Sequence, residues 1–403
     1  MPESSFAVNF FAAVVAALLM GYVAHRLHLP PMVGYLLAGV VVGPHTPGFR
    51  SDEDLIRSLA EVGVSFLLFA VGTEVHLSRL RRFQRVGLLG GTLQVVLTIG
   101  LGALIGRSVG SEWTAAFFFG SLVAVSSTTV ALKLLLDKGQ LDTLHGRISL
   151  AILLMQDLLV VPLMLVLSVL ATPSDSTPLT ILLALAKVMA LLTAGLVVGP
   201  RLIPHLLDRI ASTGSQELFL FAAISIALGG AIGTQLLGVS AAVGAFLAGM
   251  AVSQGKFSQQ IETMFAPFRD LFSIFFFISV GMLLDPSILS KQLLAASGTI
   301  LLVVAGKFVL VALVAKVFGY GRRVSVLVGV YLAQVGELSF ILAGIGLGQG
   351  IIDARLYTLL ITGALVSIFA SPFLVQLGPQ AFDWASRRRV FSRLLADASA
   401  DHD

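Results

Sequence analysis

The 403 residues are 57% hydrophobic and only 12% charged, with a formal net charge of +4. That balance excludes a soluble globular domain and describes a polytopic, all-helical membrane protein. The chain has no cysteine, which excludes disulfides, thiol redox chemistry and Cys-type zinc sites; its Lys and Arg lie mostly in short loops on one side, a topology signal that does not indicate nucleic acid.

The N-terminus, Met1-Pro-Glu-Ser-Ser5, has no basic run ahead of a long apolar stretch, so the first span reads as retained and not as a cleaved signal. Apolar runs of about 17–25 residues place about thirteen transmembrane helices. They fall near 6–24, 31–48, 55–74, 86–106, 114–136, 147–171, 179–200, 217–236, 239–254, 270–285, 292–318, 325–347 and 355–377. With the N-terminus outside, inward loops collect Arg79, Arg81, Arg82, Arg85, Lys138, Arg147, Arg201 and Arg209, and the tail carries Arg387, Arg388 and Arg389. Outward segments keep only Arg50, Arg57, Arg107, Lys291 and Arg355. The asymmetry follows the positive-inside rule, fits an odd number of spans and puts the C-terminus in the cytoplasm. Residues 256–268 alternate apolar and polar at helical spacing and are expected along the inner interface. The expected organisation is a membrane transport domain over 1–384 and a tail over 385–403, basic and then flexible.

An odd count divides as six spans, a linker span and six more, the second set inverted. Identity between the halves is too weak to prove a repeat from residues. One correspondence points to it. The fifth span carries Val125-Ser-Ser-Thr-Thr-Val130 and the twelfth carries Ala333-Gln-Val-Gly-Glu-Leu338. Polar interruptions at mid-depth are how paired discontinuous helices mark a binding site between inverted repeats. Hydroxyls there satisfy freed backbone groups, and Gly336 permits unwinding.

The sixth span holds the residue that most needs explaining. Asp157 follows Arg147 by ten residues, which puts it roughly 15 Å into a hydrocarbon layer ~30 Å thick. A carboxylate at that depth costs at least ~2.5–3.5 kcal/mol. A chain keeps one there when it faces a water-filled path and carries a proton or a cation. Pro162 is expected to loosen the helix just beyond it. Gln156 lies about 100° round the helix and either offers its amide oxygen to the ion or packs elsewhere. Ser127, Thr128 and Thr129 supply hydroxyl or unwound carbonyl oxygens, or bond to their own turns.

Lys307 lies roughly 22 Å into the eleventh span, too deep to snorkel comfortably, and needs a partner. Asp157 is the expected one, with Glu61 and Glu337 as competitors. The pair either opens in an exchange cycle or stands as a static strut. Glu337 is read as neutralising half-helix dipoles at a crossing, alongside Gln334 and Thr129. Glu61 and Ser65, one turn apart, read as packing polar groups. The chain lacks His-Glu-x-x-His, a phosphate-binding Gly-x-x-x-x-Gly-Lys-Ser/Thr and a second intramembrane Asp, so no enzyme is expected.

Several stretches carry a family resemblance. They include Gly34-Tyr-Leu-Leu-Ala-Gly-Val-Val-Val-Gly-Pro44, Ser126-Ser-Thr-Thr129, Leu154-Met-Gln-Asp-Leu158, Gly244-Ala-Phe-Leu-Ala-Gly249 and Gln334-Val-Gly-Glu-Leu-Ser-Phe340. The chain resembles the bacterial monovalent cation:proton antiporters of the second class, in particular the Kef-type potassium-efflux branch. The resemblance implies thirteen spans in two inverted repeats with crossed broken helices. It also implies a homodimer in the bacterial inner membrane and a core domain that moves in elevator fashion. Asp157 matches the family's ion-binding aspartate, so it would hold the monovalent cation. Gln156 is what the potassium-efflux branch carries, which favours K⁺ over Na⁺. No cofactor is implied beyond the transported ions. That branch usually continues into a cytosolic nucleotide-binding regulatory domain, which is absent from these residues. A Na⁺/H⁺ antiporter of the same fold, a cation channel and a non-transporting scaffold are the competing readings.

Overall fold

The computed structural model describes residues 6–27, 29–45, 52–74, 84–108, 110–170, 194–237, 239–284 and 293–387, with isolated positions between 186 and 193. All regular structure among them is helical. In chain order the helices are α1 (Phe6–Arg26), α2 (Pro31–Val42), α3 (Glu53–Glu74), α4 (Gly91–Ser108), α5 (Trp113–Ala124), α6 (Thr128–Asp137), α7 (Leu144–Leu170) and α8 (Gly199–Ala211). They continue with α9 (Gln216–Leu236), α10 (Ala241–Ser253), α11 (Ser258–Met282), α12 (Leu293–Val317), α13 (Arg322–Leu332), α14 (Leu338–Gly348) and α15 (Ala354–Arg387). The wider π-helical form leads into α4 over Gln84–Gly90 and into α8 over Ala194–Val198.

Among the described residues, nine helical stretches are long and apolar enough to cross a bilayer. One of them is Trp113–Asp137, which runs through the interruption between α5 and α6. Half of the predicted seventh span, 179–200, lies outside the described residues, as does the tail beyond Arg387. The helical spacing of residues 256–268 continues into the predicted tenth span, α11 running unbroken from Ser258 through Pro267 to Met282. Its early turns are anchored by Phe265, which packs edge-on against Phe66 and Phe69. That aromatic burial outweighs the hydrogen bond the proline forfeits. Pro162 lies inside α7, which continues past it to Leu170.

The chain separates into two compact units, residues 1–78 with 161–286, and residues 79–160 with 287–403. In the first, α3 packs on α10 and α11, α1 on α2, and α9 on α10. Small residues make this packing close. The buried stripe of α1 is Asn9, Ala13, Ala17, Gly21 and Ala24, spaced to lie on one face. Pro31 opens α2 at a position where its missing N–H is not needed.

The same contacts occur twice in this unit. Gly39 of α2 lies where any side chain would strike the carbonyl of Ile278, and Gly281 of α11 abuts the carbonyl of Leu36. In the second set, Gly249 of α10 abuts the carbonyl of Phe69, and Gly72 of α3 abuts that of Phe246. The turns entering α2 and α10 match as well. Leu29 N donates to Ala24 O at 2.9 Å, and Val239 N to Thr234 O at 3.0 Å.

The second unit repeats a contact of its own. Gly120 of α5 abuts the carbonyl of Ile99 in α4, and Gly329 of α13 approaches that of Phe308 in α12. Its apolar core joins Val86, Ala131, Ile148, Ile152, Val311, Ala315, Val328 and Leu332. On this frame sit two helix interruptions, between α5 and α6 and between α13 and α14.

Candidate functional site at the paired helix breaks

Each break begins with a helix that stops in mid-span. Helix α5 ends at Ala124 with Val125 extended, and α6 restarts at Thr128. Ser127 caps α6: its Oγ accepts from Val130 N at 3.1 Å, the usual use of serine at this position. Helix α13 ends at Leu332, and α14 restarts after Glu337. The interrupted segments bond directly to one another, Gly336 N donating to Val125 O at 2.9 Å. A Cβ on Gly336 would lie 2.7 Å from the carbonyl of Ser126, so only glycine allows the approach.

Gln334 stitches the breaks together with both ends of its amide. Its Oε1 accepts from Ser127 N at 2.6 Å, and its Nε2 donates to Ser127 O at 2.9 Å. Ser126 Oγ donates to Leu332 O at 2.9 Å, and Ser339 Oγ donates to Leu122 O. Two further free backbone N–H groups find matching solutions. Ser126 N donates to Gln156 Oε1 at 2.8 Å in the first break, and Val335 N to Ser367 Oγ at 3.0 Å in the second. These bonds satisfy several of the backbone groups that an interrupted helix leaves behind.

Lys307 braces both breaks. Only 1% exposed, its Nζ donates to Val125 O at 2.8 Å and to Gln334 O at 3.0 Å. The expected partner was a carboxylate, but Lys307 takes part in no ion pair among the described residues. The reason is local. Each break turns a backbone carbonyl out of its helix, and two such carbonyls are already within reach of one amine. Glu61, a rival for that partnership, lies on α3 with its side chain 69% exposed, 3.9 Å from Arg57. Ser65 is buried and donates to the Glu61 backbone carbonyl at 3.0 Å. The two do not act as a packed polar pair.

Asp157 is 8% exposed, and its Oδ2 accepts from Thr128 Oγ1 at 2.9 Å. The next hydroxyl, Thr129 Oγ1, donates to Glu337 Oε1 at 2.9 Å. Two carboxylates therefore meet the first turn of α6, where the unpaired N–H groups concentrate positive potential. Glu337 also occupies the N-cap position of α14, and its Oε2 is buried with no hydrogen-bond partner among the described residues.

The structure thus brings Asp157 together with Thr128, Glu337 with Thr129, and Lys307 with the backbone of both breaks. The side chains of Gln156 and Ser127 are committed to backbone and amide partners. Two contributors are ones the sequence reading does not single out, Gln94 and Ser367. Each is a buried polar residue in an otherwise apolar span, which is the signal that marks them.

Fold and site together define a helical membrane protein whose polar centre is built from two interrupted spans and one buried aspartate. The chain belongs to the sodium/hydrogen exchanger transmembrane family, whose model matches residues 14–376. It is 35% identical over 372 residues to a protein of Escherichia coli (strain K12) named as a cation/proton antiporter, YbaL; the match covers 90% of this chain and 67% of that protein. It is 35% identical over 369 residues to K(+) efflux antiporter 4 of Arabidopsis thaliana, covering 90% of this chain and 62% of that one. The chain therefore spans about two-thirds of the length of these relatives. The sodium proton antiporter MjNhaP1 from Methanocaldococcus jannaschii has a similar fold, with TM-score 0.67 and 16% identity over 97% of this chain and 99% of that one.

Proposed function

We propose that the protein is a secondary antiporter that exchanges K⁺ for H⁺ by alternating access at Asp157. The observation that carries the reading is the Asp157 carboxylate, placed at a helix break with the Thr128 hydroxyl on it. A carboxylate in that position is neutralised either by a proton or by a monovalent cation, and not by both. Moving it unpaired through a low-dielectric layer costs several kcal/mol. Only the loaded forms cross, which couples the two ions. With Asp157 as the carboxylate that receives the cation and Glu337 turned to the helix ends, one proton per cation is favoured.

In this reading Asp157 and Thr128 offer the oxygens that receive the cation, since K⁺ and Na⁺ prefer oxygen donors. Gln334, Ser127 and Lys307 hold the breaks, and Glu337 with Thr129 offsets the positive ends of α6 and α14. K⁺ is favoured by the name of the relative K(+) efflux antiporter 4 and by Gln156 beside the aspartate. A Na⁺/H⁺ exchanger is the second reading, favoured by the likeness to a sodium proton antiporter.

The twice-occurring glycine contacts support two repeats; their inversion, the thirteen-span arrangement and the motion of a core against a static frame belong to the same reading through the family resemblance. With these go a transport domain over 1–384, a cytosolic tail over 385–403, a homodimer, and a bacterial inner-membrane location with the N-terminus outside.

The test is proton flux in sealed proteoliposomes against K⁺, Na⁺, Li⁺ and Rb⁺, with and without a clamped membrane potential. Cation-driven proton movement that K⁺ supports best is the expected result. Cation flux without proton coupling would replace the reading with a channel.

A further inference from the structure

Gln156 adjoins the aspartate, yet its carboxamide is fully occupied in another direction. Its Oε1 accepts from Ser126 N at 2.8 Å, and its Nε2 donates to Gln94 Oε1 at 2.5 Å. Gln94, on α4, in turn donates from Nε2 to Ala124 O at 3.2 Å and to Thr98 Oγ1 at 2.9 Å. Gln94 and Gln156 are 0% exposed, and Ser126 and Thr98 are 2% exposed. The direction of this relay is set by the backbone. Ala124 O can only accept and Ser126 N can only donate, so each amide has one orientation that satisfies all partners.

The two ends of the relay lie either side of Val125. The amides therefore hold the residues before and after Val125, while Lys307 takes the Val125 carbonyl itself. Thr128 follows the break directly, and Asp157 follows Gln156. The second break, by contrast, meets the same need with a single hydroxyl, that of Ser367.

We infer that Gln94 is a positioning residue for the Asp157–Thr128 site, acting through Gln156, and that Gln156 influences the cation from outside its oxygen ligands. Residue 156 must accept on one side and donate on the other, which an amide does and a carboxylate does not. The inference rests on the antiport reading only for its transport readout.

The test uses the full chain with Q94M, Q156M and the double variant Q94M/Q156M, chosen because methionine keeps length and bulk but makes no amide bonds. Two measurements are made: K⁺-dependent proton flux in proteoliposomes, and thermal unfolding in detergent. Q94M is expected to raise the apparent KM for K⁺ roughly tenfold, the scale of one buried polar group left unpaired. Vmax should be little changed, as when ground-state binding alone is lost. The double variant is expected to match Q156M in KM and Tm, because residues in one network do not add.

A wild-type KM in folded Q94M, or losses that add in the double variant, would overturn the inference. Should Q94M not fold, Q156E takes its place. It keeps an acceptor for Ser126 N but turns an oxygen towards the Gln94 oxygen, so its KM should rise. An unchanged KM in Q156E counts against the relay. If the wild type moves no protons in response to any alkali cation, the antiport reading fails and the relay is judged on Tm alone. Non-additive losses then support it, and additive losses reject it.

Discussion

Thr128 and Thr129 stand side by side at the start of α6, and their hydroxyls end on different carboxylates, Asp157 and Glu337. Thr128 is half-buried and Thr129 is exposed. On the proposed mechanism the two should separate cleanly under mutation. Thr128→Val removes an oxygen from the cation's surroundings and should raise the KM for K⁺ roughly tenfold, with Thr128→Ser restoring it. Thr129→Val should leave that KM near wild type. Equal effects of the two would mean that the Asp157 pairing has no special part in cation binding.

Asp157→Asn keeps the shape of the side chain and removes its ability to exchange a proton for a cation. Cation-driven proton flux should fall to the level of empty liposomes, while the protein remains folded and monodisperse in detergent. Retained exchange in this variant would remove the mechanism proposed for the site.

Lys307→Met should be read first as a stability variant. It removes the lysine bond from Gln334 O and one of the two bonds on Val125 O, which keeps Gly336 N, at about 1–3 kcal/mol for a buried group left unpaired. The expected result is a clear drop in Tm, measured by differential scanning fluorimetry or by loss of monodispersity on heating. A Tm equal to wild type would show that the amine does not brace the breaks.

Glycine substitutions along α14 and its approach should differ according to the room available. Gly336→Ala places a methyl 2.7 Å from the Ser126 carbonyl carbon and 2.9 Å from Ser127 N, both backbone atoms that cannot yield cheaply. Transport should be lost. Gly348→Ala has open space around the added carbon and should transport normally. Flux measurements on the two variants at matched expression decide the point.

Much of the architecture could be read from residue type alone, because an apolar run of bilayer length has few alternatives. The two interruptions were legible for the same reason: a run such as Val125-Ser-Ser-Thr-Thr-Val130 breaks the apolar pattern at mid-depth. The partner of Lys307 was not. Sequence lists carboxylates, but it does not show which backbone carbonyls a break will expose. The continuity of α11 through Pro267 was hidden for a related reason, since burial of neighbours such as Phe265 decides whether a helix survives a proline.

The repeated glycine contacts were more accessible than they look. Val33-Gly-x-x-Leu-Ala-Gly39 and Val243-Gly-x-x-Leu-Ala-Gly249 share a pattern, and each conserved glycine serves an equivalent close approach of backbones. A search for spaced small residues would have found it where overall identity does not. Gln94 also stands out once the question is where a buried amide finds its second partner.

The amine of Lys307 has one further implication. By gripping a carbonyl from each interrupted span, it ties residues 125 and 334 to a common point. Whatever displacement carries an ion from one side of the bilayer to the other, these two positions should travel as a single rivet, their separation unchanged while the surroundings slide past.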